Sequence, residues 1–400
     1  MSVQSDRRLP PIWFLALCSG VAVVGLTILT PALPLITTEL GVSTSAVQQL
    51  LTIYLVSLAV GQLFFGSISD RFGRRPVLLF GAFMYAAGSI AALLSTDIVV
   101  IGALRAVQGL GAAACTAMSR AMVNDMFERD EAARQLSTIA IALALAPALS
   151  LAFGGLIAET AGWQGSMALL STAGLLLCVL ALRYAHETHT HRGAALGLAS
   201  IVRTYRKILS NPIFVCWTLA SGMQVGIFFS LNGFLAYQYQ RNGYSLAEFG
   251  LWFSLTPVSY IFGNSFNKRW FVARGIERAA FIGCILSLIA LSILLLTQLA
   301  GLTHALSLAL PCMLLGFSNG IVVANSMAGA IDASGTHVGT GTGIVGAWQM
   351  AAGGIAGAII IALGGAQQFV IAGVAVIVMA MISVLSMLYV YRKNRSPVAR

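Results

Sequence analysis

A chain of 400 residues that is 58% hydrophobic and only 9% charged cannot cover a water-facing surface of its own size, because soluble domains carry roughly 25% charged residues. Its net charge of +10 would suggest nucleic-acid binding in a soluble protein. Here the basic residues stand in short loops between apolar runs, with no interleaved aromatic platform, which excludes a nucleic-acid partner. Cys18, Cys115, Cys178, Cys216, Cys284 and Cys312 each lie inside an apolar run without CxxC spacing, and read as small packing residues, not metal ligands or disulfides.

Twelve runs approach the roughly 20 apolar residues needed to cross hydrocarbon. The first, 12–36, follows Arg7 and Arg8 and continues past any signal-peptide length without a small-residue cleavage site, so it is retained as a span. Next come 45–66, 76–95, 98–122, 135–157 and 164–184, then 212–236, 247–267, 279–299, 305–330, 339–363 and 368–391. Only helices or closed barrels satisfy backbone groups in lipid, and these runs are too long and too continuously apolar for barrel strands. The expected fold is an all-α integral membrane protein.

The polar stretch HETHTHRGAALGLASIVRTYRKILSN divides the spans six and six. It sets the expected organisation: a six-helix bundle over 1–185, a linker over 186–211 and a second bundle over 212–400. His186, His189 and His191 belong to this solvated linker, and 197–209 has the pattern of an amphipathic helix lying on the inner membrane face. With the N-terminus inside, twenty Lys and Arg residues fall on the cytoplasmic side and only Arg241 on the other. That asymmetry predicts both termini in the cytoplasm. GSISDRFGRRP (66–76) after span two and GNSFNKRWFVARGIERA (263–279) after span eight occupy equivalent slots, as in transporters that rock around a central site.

Four stretches then carry a resemblance: TPALPLI (30–36), GSISDRFGRRPVL (66–78), LRAVQGLGAAA (104–114) and APALSLAFGGLI (146–157). The chain resembles the major facilitator superfamily, and more narrowly its Bcr/CflA branch of multidrug and metabolite exporters. The resemblance implies two pseudo-symmetric six-helix bundles. It also implies that Asp70 latches the inner mouth by capping a neighbouring helix and pairing with basic partners, and that Arg105 takes part in proton coupling. Arg71, Arg74 and Arg75 either join that gate or only set topology. An Arg at the depth of Arg105 costs at least ~2.5 kcal/mol, so it should face a wet cavity or a partner, with Gln108 on a similar face. Gly66 is expected to let spans two and eleven touch, Pro147 to bend span five, and Gly154 and Gly155 to pack against the other half.

Two departures stand out. Leu151 occupies a position where a second proline is common in this branch, and Thr27 stands where its members carry an acidic residue. No carboxylate falls mid-span: Asp125 and Asp332 sit at inner ends, and Glu39 and Glu159 on the outer side. Proton coupling would then need Asp70, Asp125 or the cargo itself. Tyr54, Gln62, Gln224, Asn232, Asn319, Asn325 and Gln349, with Phe228 and Trp348, line a pocket or make interhelical contacts. Thr27, Arg105 and Gln108 complete the expected cavity set.

The expected function is secondary export of small amphipathic molecules across the inner membrane by a monomer, as antiport against protons, without a cofactor. The alternative is a dedicated exporter of an endogenous anionic or zwitterionic metabolite such as a siderophore. An embedded enzyme or sensor is the remote one, since no HExxH or GxSxG occurs and the histidines lie in loops or at a helix end.

Overall fold

The computed structural model describes residues 9–188, 198–271, 275–335 and 337–395, and among them every regular element is helical. In chain order these are α1 (Ile12–Thr27), a 3-10 turn (Thr30–Ala32), α2 (Leu33–Glu39), α3 (Thr44–Phe72), α4 (Arg74–Leu93), α5 (Ile98–Met126) and α6 (Arg129–Tyr184). Then follow α7 (Leu198–Leu209), α8 (Pro212–Arg241), α9 (Leu246–Phe266), a π-helical turn (Asn267–Phe271), α10 (Ile276–Leu299), α11 (Ala305–Ala333), α12 (Val338–Ala362) and α13 (Phe369–Arg395).

Among the described residues, ten segments are long and apolar enough to cross a membrane. Gly162, at φ 69°, folds α6 into two crossings, and α9 supplies the twelfth. The first crossing is interrupted because Pro31 and Pro34 lack backbone donors, and the chain tightens into a 3-10 turn between α1 and α2. Side-chain caps fix other entries: Ser43 for α3, Asp97 for α5, Asn211 for α8 and a Ser245–Glu248 capping box for α9. An even number of crossings leaves both ends of the described chain on one side, here called the terminal end; the opposite side is the far end.

Outside the helices, Phe64, Phe80, Phe83, Leu176, Val179 and Leu385 are exposed. In water such a belt would drive association; in lipid it is the solvated surface. Inside, Cys18, Cys115 and Cys312 pack in one apolar cluster and Cys284 in a second. Two long helix pairs join the bundles: α3 with α12, and α6 with α9. At the second pair a Cβ on Gly155 would strike the Leu246 carbonyl and the Ala247 and Gly250 backbones, so backbone contact there needs glycine.

The folded chain differs from the sequence expectation in three places. The stretch from Gly66 to Phe72 continues α3 as helix, and only Gly73, at φ 98°, stops it. Gly66 makes no close approach to α12, since a Cβ there would meet nothing within 4 Å. That approach is made at Gly354, against Thr52 and Leu55, and at Gly346, against Gln62. Gly154 packs on the Ile28 carbonyl of its own bundle, leaving Gly155 alone to meet the other half. His189 and His191 of the linker and the basic Arg7, Arg8 and Arg400 lie outside the described residues.

Gly316 packs against the Thr256 backbone, joining α11 to α9. Gly316→Val should destabilise the protein by about 1–3 kcal/mol, the usual cost of overpacking, and lower its melting temperature in detergent. Gly66→Ala, with open space around it, should leave that temperature unchanged.

Candidate functional site

A cavity of about 430 Å³ lies between the bundles, lined by α1, α5 and α6 on one side and α8, α9, α11 and α12 on the other. That volume falls in the ordinary range of small-molecule sites. Pro147 of α6 and Pro257 of α9 both reach it. Their rings remove backbone donors where the helices flank the cavity. Phe228, Phe229, Tyr260, Met327 and Met350 make its walls mainly apolar, while Thr256, Asn319, Gln349 and Arg120 supply polar groups.

The cavity extends toward the terminal end, for Arg120 stands only six residues before the last residue of α5. At the far end hydrogen bonds tie the bundles together. Thr37 Oγ1 and Tyr237 OH lie 3.0 Å apart, the Ala247 amide donates to Glu159 Oε2 at 3.0 Å, and Gln367 Nε2 donates to Thr44 Oγ1 at 3.2 Å. Thr52 Oγ1 also donates to the Gly354 carbonyl at 3.1 Å.

Of the residues predicted to line the cavity, Phe228, Asn319 and Gln349 do so, joined by Pro147. Asn319 Nδ2 donates to the Gln224 carbonyl at 3.2 Å, and Gln349 Nε2 to Ser221 Oγ at 2.6 Å. The others belong elsewhere because each finds a partner within its own bundle. Thr27 donates to the Val23 carbonyl at 2.9 Å and meets Ser150 Oγ of α6. Gln224 bridges Ser383 and Ser287 at 3.2 and 2.9 Å. Asn232 bonds the Phe228 carbonyl, Asn325 bonds Asn267, and Trp348 packs over Gly222.

Arg105, Gln108 and Tyr54 likewise form an interior lock and not a cavity wall. Arg105 is fully buried. Its guanidinium donates to the Gly25 carbonyl at 2.8 Å, the Leu50 carbonyl at 3.4 Å and Gln108 Oε1, and lies 4.2 Å from the Tyr54 ring centroid. Gln108 passes the chain on to Ser89 Oγ at 2.6 Å, and Tyr54 OH donates to the Ala22 carbonyl at 2.7 Å. One cation thus joins α1, α3 and α5, and through Gln108 it reaches α4. Its Nη2 has no hydrogen-bond partner among the described residues.

A second charged cluster occupies the terminal end. Arg74 Nη1 meets Asp70 Oδ1 at 2.7 Å, and its Nε meets Asp125 Oδ2 at 2.9 Å. Its side chain is 10% exposed, against 52% for Asp70, so the Asp125 side of the cluster is the better shielded from water. Asp70 pairs with its own neighbour; among the described residues it caps no helix of the other bundle. Arg71 turns outward over Phe72, 5.4 Å from its centroid. Arg75 contributes its amide, at 3.3 Å from Glu187 Oε2. Glu187, not foreseen from sequence, also accepts the Arg74 amide at 2.9 Å. A carboxylate at this helix start suits its partial positive charge. Thr188 adds a bond to Asp125 at 3.0 Å. Arg120 also escaped the sequence reading. It sits near a span end, where basic residues ordinarily set topology, and only its place on the cavity marks it.

Removing Arg105 leaves the Gly25 and Leu50 carbonyls and Gln108 buried without this donor. Arg105→Ala should cost on the order of 2 kcal/mol, as expected for lost bonds to a charged group. The measurement is thermal unfolding in detergent, where Arg105→Lys should fall between the two.

A family model of the Major Facilitator Superfamily matches residues 15–358. The chain is 29% identical over 352 residues to the bicyclomycin resistance protein homolog of Haemophilus influenzae, covering 86% of this chain and 87% of that protein. It is 29% identical over 325 residues to the chloramphenicol resistance protein of Pseudomonas aeruginosa, covering 81% and 77%. The crystal structure of a D-xylose-proton symporter superposes with a TM-score of 0.75 at 14% identity, over 95% of this chain and 96% of that one, which is a likeness of fold. With twelve crossings, two bundles and a central cavity, the chain belongs to the Major Facilitator Superfamily.

Proposed function

We propose that the protein is a secondary active exporter that carries small amphipathic molecules out of the cytoplasm by alternating access. The observation that carries this reading is the cavity between the bundles, tied shut at the far end by Thr37–Tyr237, Glu159–Ala247 and Thr44–Gln367 and extending toward the end rich in Lys and Arg. The positive-inside rule makes that end cytoplasmic, so the cavity would load from within the cell. Residues 1–185 and 212–400 are the rocking bodies and 186–211 their tether. The protein acts as a monomer in the bacterial inner membrane. The similarity to proteins named for bicyclomycin and chloramphenicol resistance supports drug-like cargo.

Coupling to protons is part of the proposal. With Thr27 held by Ser150 and no Asp or Glu among the described cavity residues, a protonatable carboxylate must act elsewhere. Asp70 and Asp125, bound to one guanidinium at the loading end, are the best placed. Opening at the far end requires closing here, which would change the exposure of both carboxylates to water in each cycle. Arg105 would hold the first bundle rigid while it turns. Collapsing the pH gradient across inverted vesicles should abolish accumulation of a fluorescent drug probe; an unchanged rate would exclude proton coupling. Asp125→Asn should lower that accumulation by about tenfold, the scale of losing one charge-assisted hydrogen bond, without loss of the protein from the membrane.

A second reading, export of one endogenous anionic or zwitterionic metabolite such as a siderophore, draws on the same lack of a cavity carboxylate. A deletion strain should then retain that metabolite inside the cell. Broad sensitivity to cationic drugs in that strain, with no retained metabolite, would instead favour multidrug export.

A further inference from the structure

We infer that Arg120 selects the cargo, and that the cavity takes molecules combining an aromatic or alicyclic body with one anionic group such as a carboxylate or sulfonate. This rests on the export reading above and narrows it to a substrate class.

Among the residues whose burial is described, three arginines of the first bundle are shielded from solvent, and two of them are partnered. Arg74 has Asp70 and Asp125. Arg105 has two backbone carbonyls, Gln108 and the Tyr54 face. Arg120 is only partly exposed, lines the cavity, and among the described residues makes no hydrogen bond or ion pair. A guanidinium carries five donors and cannot be deprotonated in a protein, so this one presents an uncompensated charge to the space between the bundles. Its planar fork matches carboxylate and sulfonate oxygens two at a time.

The rest of the lining agrees with this occupant. Among the described residues, no Asp or Glu lines the cavity. A cationic cargo would therefore meet repulsion from Arg120 without compensation. Phe228 stacks on Phe253 with centroids 5.8 Å apart and tilts against Phe229 at 5.4 Å, leaving an aromatic wall near the polar groups. Thr256 Oγ1 and Asn319 Oδ1 are buried without hydrogen-bond partners among the described residues, and both residues line the cavity. They can meet hydroxyl or amide groups on the cargo. A bare inorganic anion would fill little of the 430 Å³ and leave the apolar walls unused.

The test uses the full chain in proteoliposomes with two membrane-impermeant probes sharing one ring system, naphthalene-2-sulfonate and 2-naphthylmethyl-trimethylammonium. Wild-type protein should move the sulfonate well above protein-free vesicles and the ammonium little. Arg120→Gln should lower sulfonate flux at least about tenfold, the loss expected when a charged hydrogen-bonding partner is removed. Arg120→Lys should retain part of it. Arg120→Glu should reverse the preference toward the ammonium, a gain that misfolding cannot produce. Unchanged sulfonate flux in Arg120→Gln, or wild-type transport of the ammonium as fast as the sulfonate, would overturn the inference and leave export standing. Wild-type transport of neither probe would overturn the export reading and this inference with it.

Discussion

A guanidinium inside a membrane protein must find acceptors, because hydrocarbon supplies none, and its cost of at least ~2.5 kcal/mol per residue must be offset by the fold. Arg105 meets most of that need with the backbone oxygens of Gly25 and Leu50 and with Gln108. It can reach the Gly25 and Leu50 carbonyls only because α1, α3 and α5 pass close together at that depth. The same residue that needs those contacts therefore fixes how the first bundle packs. Arg74 solves the problem with two carboxylates at the water boundary, where pairing is weaker but can be exchanged. A rigid lock in the interior and a charged pair at the rim suit a bundle that would turn as one body in the proposed cycle.

Much of this layout is legible in the amino-acid sequence. The spans are, because hydrocarbon demands length and apolarity together and the chain offers both twelve times. Arg105 stands out because a charge in the middle of a run is costly. Its partners are not legible: the Gly25 and Leu50 carbonyls are backbone atoms, which carry no residue-type signal. The amides fail for a related reason. Gln224, Asn232 and Asn325 look like pocket residues in a helical pattern, but each turns to a partner in its own bundle, and helix rotation about its axis decides which. Arg120 reads like a topology residue because it lies near the end of its span. Glu187 caps α4 from 113 residues away, a separation over which no local pattern operates.

The joints between the bundles follow from glycine. Gly155 meets the Leu246, Ala247 and Gly250 backbones at the α6–α9 crossing, while Gly354 meets Thr52 at the α3–α12 crossing. Both contacts join one bundle to the other, so they are the surfaces on which relative motion would turn. Backbone against backbone presents few interlocking side chains and so resists sliding little. Within a bundle, Gly316 and Gly320 are also pressed on the Thr256 and Tyr260 carbonyls, but those contacts hold α9 and α11 together and belong to the rigid part. Gly66, despite standing in the most recognisable stretch of the chain, touches nothing of the kind. Recognisability and mechanical contact are separate properties.

Arg120, with no Asp or Glu beside it among the described lining residues, gives the cavity a charge character opposite to that of a cation exporter. A carboxylate at position 27 would face Ser150 within the first bundle and would need a proton or a cation to be tolerated there. Threonine needs neither, because its hydroxyl donates to the Val23 carbonyl and meets Ser150. Among the described residues nothing that lines the cavity neutralises Arg120, and the neutralising group has to come from what enters. An arriving anion would then serve as both cargo and counterion, and the loaded cavity would carry less net charge than the empty one. A charge that is balanced only when cargo is present lowers the cost of closing the loading end over a filled site relative to an empty one. Selection of an anion and preference for moving while loaded would then follow from the same unpaired guanidinium.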